Sequence, residues 1–192
     1  MHETEEQIRA LFAHHLETQM SLAEYLPVSI RIISEKMVQC LLQEGKILVC
    51  GIGASAANAL HFSNAFIDSY GAERPALPAI VLSETLSSHP QEHHQSFARQ
   101  IQALGNEKDL LLILTTNGKS HSLMHALDAA KDKDMDIVVL NGQSGGLVSN
   151  HLGPEDFEIR ISLEHPARIR EIHLFILHSL CELIESALFG AS

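Results

Sequence analysis

Five short apolar runs constrain this chain more than anything else in it. They are "KILVC" at 46–50, "PAIVLS" at 78–83, "DLLLIL" at 109–114, "MDIVVL" at 135–140 and "FEIRIS" at 157–162. Most are continuous instead of alternating, which suits strands covered on both faces. Between them lie helical stretches at about 56–69, 90–103 and 120–132, and a last at about 167–188 follows the fifth run. Alternating β and α segments imply a parallel sheet with helices on both faces. The expected fold is α/β: a three-layer α/β/α arrangement around a five-stranded, parallel, doubly wound sheet. A length of 192 residues suits one sizeable core.

Two helices precede the first strand. Over residues 3–25 the apolar positions Ile8, Leu11, Phe12, Leu16 and Met20 approach the i, i+3, i+4 rhythm of an amphipathic helix. Pro27 breaks it, and Val28 to Glu44 then sets Ile30, Ile33, Met37 and Leu41 on one stripe, with Gly45 as the expected C-cap. Residues 1–45 therefore read as a helical hairpin, part of the same unit and a candidate oligomer interface, and residues 46–192 as the α/β unit.

Charge narrows the function. With 13 Lys+Arg against 24 Asp+Glu the net charge is −11, which argues against a broad phosphate-backbone-binding surface. A small basic patch or a basic protein partner stays open. Cys40, Cys50 and Cys181 lie in apolar segments without CxxC spacing and read as buried, reduced thiols. His89 and His93, four apart in "HPQEHH", lack a third ligand at a recognisable spacing and read as surface. No uninterrupted apolar run approaches the roughly 20 residues of a membrane helix, and the charged N-terminus is unlike a secretory signal. The expected location is the cytoplasm.

Ligands of open parallel sheets bind at the carboxyl ends of the strands, and two loops there carry suitable residues. After the first strand comes Gly51-Ile52-Gly53-Ala54-Ser55, where small residues let backbone N–H groups approach a ligand. Ser55 there can either cap the next helix or offer its hydroxyl. After the third comes "TTNGKSHS", where Thr115, Thr116, Asn117, Lys119 and Ser120 can surround an anion. The same residues can equally form a tight turn with an N-cap.

The stretches "GKILVCGIGASAANALHF", "LLLILTTNGKS", "ERPALPAIVL", "QIQALGNEKDLLLIL", "LGPEDFEIRI" and "ARIREIHLFILHSLCELIESALF" together resemble the sugar-isomerase (SIS) domain family. Within it the chain is similar to the branch holding phosphoheptose isomerases and the bacterial DnaA initiator-associating proteins. That resemblance implies a homotetramer built partly through the N-terminal helices and a phosphosugar-binding role for Ser55, Thr115, Thr116, Asn117, Lys119 and Ser120. For the isomerases it implies conversion of sedoheptulose 7-phosphate to a heptose 7-phosphate at a zinc site of two histidines, a glutamate and a glutamine.

Carried onto this chain, the histidines are His61 and His178, but the glutamate position is Ala65 and the glutamine position Arg170. Alanine cannot transfer a proton or bind zinc, and a guanidinium beside two imidazoles repels a divalent ion. Asn64 stands at the neighbouring acid, Ile52 at the family's loop asparagine, and Lys119 at the asparagine of the phosphate loop. Asp68 and Glu171 are the nearest alternative acids. No catalytic residue, zinc or other cofactor is therefore expected. The leading expectation is a non-catalytic homotetramer that binds the replication initiator DnaA and promotes its assembly at the origin. The terminal pair Leu188 and Phe189 is its candidate anchor. The alternatives are a phosphoheptose isomerase with rearranged acid–base groups and a phosphosugar-binding sensor.

Overall fold

The computed structural model describes residues 2–71, 73–84 and 94–190. Helices α1 (His2–Leu22) and α2 (Leu26–Leu42) lead into β1 (Ile47–Gly51), α3 (Ser55–Ile67), β2 (Ala79–Val81), α4 (Ser96–Leu104) and β3 (Leu110–Leu114). Then follow α5 (His121–Lys131), β4 (Asp136–Gly142), α6 (Gly146–His151), β5 (Phe157–Ile161) and α7 (Pro166–Phe189). The five apolar runs are thus five strands, all parallel, in the order β2-β1-β3-β4-β5. His89 and His93 lie outside the described residues.

Alternation along the strands divides the core. Ile47, Val49, Leu110, Leu112, Leu114, Val138 and Leu140 face one side, where α2, α3 and α7 cover them. Leu48, Cys50, Leu111, Ile113, Ile137 and Val139 face the other, under α4, α5 and α6. All three cysteines are buried free thiols, and burial foremost pushes each of them up to about 12.

Four local features differ from the sequence reading or refine it. First, α6 is additional: six residues after two glycines are too few to show a helical period. Second, the left-handed residue closing α2 is Glu44 (φ 65°), not Gly45. Gly45 is required for another reason, because a Cβ there would stand 2.1 Å from the Lys108 carbonyl oxygen. Third, the two N-terminal helices play different parts. Ile30, Ile33, Met37 and Cys40 of α2 join the core, whereas the buried part of α1 is Leu22 alone. Ile8, Leu11, Phe12, Leu16 and Met20 of α1 are exposed. Fourth, α7 alone among the described helices is long and apolar enough to cross a membrane, with a mean hydropathy of 1.5. Its Ile169, Ile172, Ile176, Leu177, Leu180 and Ile184 are core residues packed over the sheet.

Candidate functional site

β1 lies between β2 and β3, so the chain leaves it in opposite directions and a crevice opens past its carboxyl end. The loops after β1 and β3 flank that crevice, since Gly51 pairs with Leu114 in the register. Gly53 has a positive φ of 57°, and α3 starts with no side-chain cap. The Ser55 hydroxyl, on a nearly buried residue, is therefore not spent on capping.

The second loop is held by its own side chains. Thr115 Oγ1 accepts from the Gly118 N–H at 3.1 Å, and Asn117 Oδ1 from the Lys119 N–H at 3.1 Å. Ser120 caps α5 by accepting from the Ser122 N–H at 3.2 Å. The turn-and-cap reading thus holds for three of the expected residues, although an accepting hydroxyl keeps its own proton to donate. Thr116 is half-buried, and Lys119 is exposed with no bond from its ammonium among the described residues.

A third loop, not singled out from sequence, locks the second. Gly118 (φ 61°) approaches Gly145 so closely that a Cβ on it would stand 1.8 Å from the Gly145 carbonyl oxygen. Ser144 Oγ donates to the Asn117 carbonyl, and Asn141 Nδ2 donates to the carbonyl of Gly145 and to Glu158 Oε1, each at 2.8 Å. The adjacent glycines in "NGQSGGL" were the available signal, because paired glycines after a strand mark a close backbone approach.

α3 and α7 form the wall beside this crevice. Asn58 Nδ2 donates to the Arg170 carbonyl at 2.9 Å, and one turn further on His61 and His178 meet Nε2 to Nε2 at 2.8 Å. One ring must donate and the other accept. The His178 pKa is lowered, first by burial and then by His61, with Glu182 opposing. Tyr70 packs on His178 at 5.2 Å between ring centroids.

Ala65, one turn beyond His61 on α3, is buried in the core and brings no polar side-chain atom. The two imidazoles supply two of the four donors a tetrahedral zinc site uses. No group of three or more His, Cys, Asp or Glu stands close enough to hold a metal among the described residues, so the residues at this point do not fit zinc. Asp68 ends α3, and both carboxylate oxygens of Glu171 accept from Arg168 at 2.7 Å.

Arg74, quoted in "ERPALPAIVL" but given no role there, fixes the end of this wall. Its nearly fully buried guanidinium donates to the Ala65 and Phe66 carbonyls at 2.8 Å each and to Glu185 at 2.6 Å. Glu185 also accepts from the N–H groups of Tyr70 and Gly71. Burial pushes the Glu185 pKa up, but these bonds and the Arg74 charge bring it below its ordinary value. A basic residue just past a helix end, positioned to bind its last carbonyls, was the legible signal.

His173 lies beneath the crevice, fully buried, with Nε2 on the Asn141 carbonyl at 3.2 Å and no partner for Nδ1. Burial foremost pushes its pKa down to about 4, the charge of Arg170 adding to the shift. The unfolded chain takes up this proton near pH 6.5 and the folded chain only near pH 4. The contribution is therefore whole above pH 6.5 and is lost as pH falls towards 4, about 3 kcal/mol in all. In urea titrations from pH 7 to 4.5, His173→Asn should flatten the decline by about that amount, and an unchanged slope would refute the assignment.

At the far end of α7 the expected anchor pair divides. Leu188 packs on the core, whereas Phe189 is 46% exposed. A groove of about 580 Å³ lies between α1 and α7, lined by Ile8, Leu11, Phe12, Phe175 and His178 among others.

Comparison with known proteins accords with this architecture. Residues 9–142 match the SIS domain family. A phosphoheptose isomerase from Methylococcus capsulatus is 43% identical over 190 residues, spanning 96% of this chain and 97% of its own length. The DnaA initiator-associating protein DiaA of Escherichia coli is 42% identical over 190 residues, with the same coverages of 96% and 97%. The structure of a phosphoheptose isomerase from Francisella tularensis superimposes with a TM-score of 0.87 at 36% identity, covering 95% of this chain and 98% of that one. The family match, the shared fold and identity over nearly the whole length lead to one conclusion: the chain belongs to the SIS domain family.

Proposed function

We propose that the chain is a non-catalytic SIS-domain protein that binds the replication initiator DnaA as a homotetramer and promotes its assembly at the chromosomal origin. One observation carries this reading: on α3 the residue one turn beyond the His61–His178 pair is a buried alanine, Ala65, and no group of three or more metal-holding side chains forms among the described residues. Aldose–ketose isomerisation needs a group that takes a proton from one carbon and returns it to the next. A hydrogen-bonded imidazole pair with alanine at the family's glutamate position is poorly equipped for that shuttle. The E. coli relative named for its association with DnaA is as similar as the isomerase relatives are, so similarity supports both equally and the reading proposed here rests on the site chemistry.

Assembly has support in α1. Its exposed row of Ile8, Leu11, Phe12, Leu16 and Met20 is the kind of apolar face that a second copy covers. Several copies of one docking surface turn a modest affinity into avidity for a partner that itself assembles. A net charge of −11 favours protein contact over direct DNA binding. Phe189, with Leu188 behind it, is the proposed contact.

The test is biolayer interferometry of the purified chain against the initiator from the same genome, with light scattering to count subunits. Saturable binding by a tetramer is expected. Phe189→Ala should weaken it by about tenfold or more, as loss of an interface anchor does, with the subunit count unchanged. Unaltered binding would remove Phe189 from the contact, and no binding by wild type would overturn the reading. Turnover of sedoheptulose 7-phosphate, with or without added zinc, would instead establish the isomerase.

A second reading is a sugar-phosphate sensor. The Lys119 ammonium, without a bond among the described residues, and the Ser55 hydroxyl, which does not cap α3, lie on the loops that flank the crevice, and both suit an anion that would report to the partner.

A further inference from the structure

Arg170 is an exception in this acidic chain. Arg74, Arg160 and Arg168 each pair with a glutamate. Arg170 is half-buried, yet among the described residues its guanidinium has no carboxylate and no hydrogen-bond partner. A chain with 24 acidic residues has ample means to neutralise it. Leaving a partly desolvated cation unpaired is costly unless an anion arrives from outside.

Its place in the fold shows where that anion would sit. Arg170 falls on the same face of α7 as Leu177 and Cys181, seven and eleven residues on, and both of those are buried in the core. At the level of Arg170, however, the sheet has ended. Ile169 packs against Gly142, the last residue of β4, and His173, one turn further along α7, reaches the Asn141 carbonyl. The inward face at Arg170 therefore looks over the strand ends, with no strand beneath it. The bond from Asn58 Nδ2 to the Arg170 backbone carbonyl ties this turn of α7 to α3, one turn along from Ser55. No carboxylate comes with it: Ala65 supplies none, and Glu171 is occupied by Arg168.

Taken with the phosphate-type loop, this arrangement has two anion-attracting ends. One is the Ser55 and Thr115–Ser120 side, with Lys119. The other is the planar fork of Arg170, which matches a carboxylate or a second phosphate in bidentate fashion.

We propose that this crevice binds a sugar phosphate bearing a second anionic group, a phosphorylated aldonate or a sugar bisphosphate, with Arg170 taking that second anion. The proposal rests on the sugar-phosphate reading and goes further in naming the ligand class. An uncharged aldehyde or ketone head leaves the guanidinium unpaired, and an anionic head satisfies it.

Calorimetric titration with 6-phosphogluconate, fructose 1,6-bisphosphate, glucose 6-phosphate and inorganic phosphate tests it on the full chain. The expected result is that 6-phosphogluconate, the bisphosphate or both bind at least about tenfold tighter than glucose 6-phosphate, the size of one charge-assisted pair. Which of the two does so identifies the second anion. Arg170→Gln should bring that ratio to about one while leaving glucose 6-phosphate affinity in place. Arg170→Lys, which keeps the charge and loses the fork, should retain part of it. Lys119→Ala should weaken all four ligands together. Equal affinity of wild type for the one-anion and two-anion sugars would overturn the proposal and leave the sugar-phosphate reading standing. No binding of any of the four would overturn both.

Discussion

Arg74→Met should cost about 3–5 kcal/mol of folding stability, the size expected when one partner of a buried ion pair is removed and the other is left uncompensated. Glu185 would keep its charge in a nearly buried setting with two backbone N–H groups as its remaining partners. The Ala65 carbonyl would lose the side chain that completes its bonding at the end of α3. Urea denaturation of Arg74→Met, of Glu185→Leu and of the double variant separates the contributions. The double variant should be much less destabilised than Arg74→Met, because the stranded charge is then gone. If the single and double variants unfold at the same midpoint, the loss belongs to the helix-end carbonyls and not to the ion pair. The clamp also bears on the site, since the Glu185 bonds hold Tyr70, which packs on His178.

The second large effect concerns metal. Ala65→Glu combined with Arg170→Gln would place a carboxylate and an amide where the isomerase pattern has them, around His61 and His178. Two donors would become four and a cation would leave. The double variant should retain about one zinc ion per chain through dialysis, the capacity of a complete tetrahedral site. The parent should retain none at this point, as read by metal analysis and competition with a zinc-binding dye. Zinc held stoichiometrically by the parent, and lost on His61→Ala, would refute the misfit described here. A folded double variant that takes up no zinc would show that positions 65 and 170 do not converge on the imidazoles. Glutamate at position 65 enters a buried place, so thermal stability must be followed with and without metal.

Much of this architecture is legible in the residue order because its causes are local. "LLLIL" is apolar without alternation, and β3 is buried at every position. Ile30, Ile33 and Met37 recur at helical spacing, and all three are core. The loops could be placed for the same reason, since a ligand crevice at a strand end follows from strand order and chain direction. Where local signals fell short, the cause was a contact distant in sequence. Gly45 looked like a cap, but its constraint is the Lys108 carbonyl. Residues 146–151 showed no period because the helix is short and its start is set by backbone crowding against Asn117 and Gly118. Leu188 and Phe189 looked equivalent, yet only the packing of α7 decides which of them turns inward.

By itself the sequence determined the layers, the five parallel strands, the two loops at their carboxyl ends and the alanine four residues after His61. Each of these follows from residue type and spacing along a few turns or one strand. Tertiary structure alone decided that His61 meets His178 across 117 positions, that Arg74 spans 111 to Glu185, and that Arg170 has no counter-ion among the described residues. Those outcomes depend on how α3 and α7 lie against one another on the sheet, which is set by side-chain packing over the whole core.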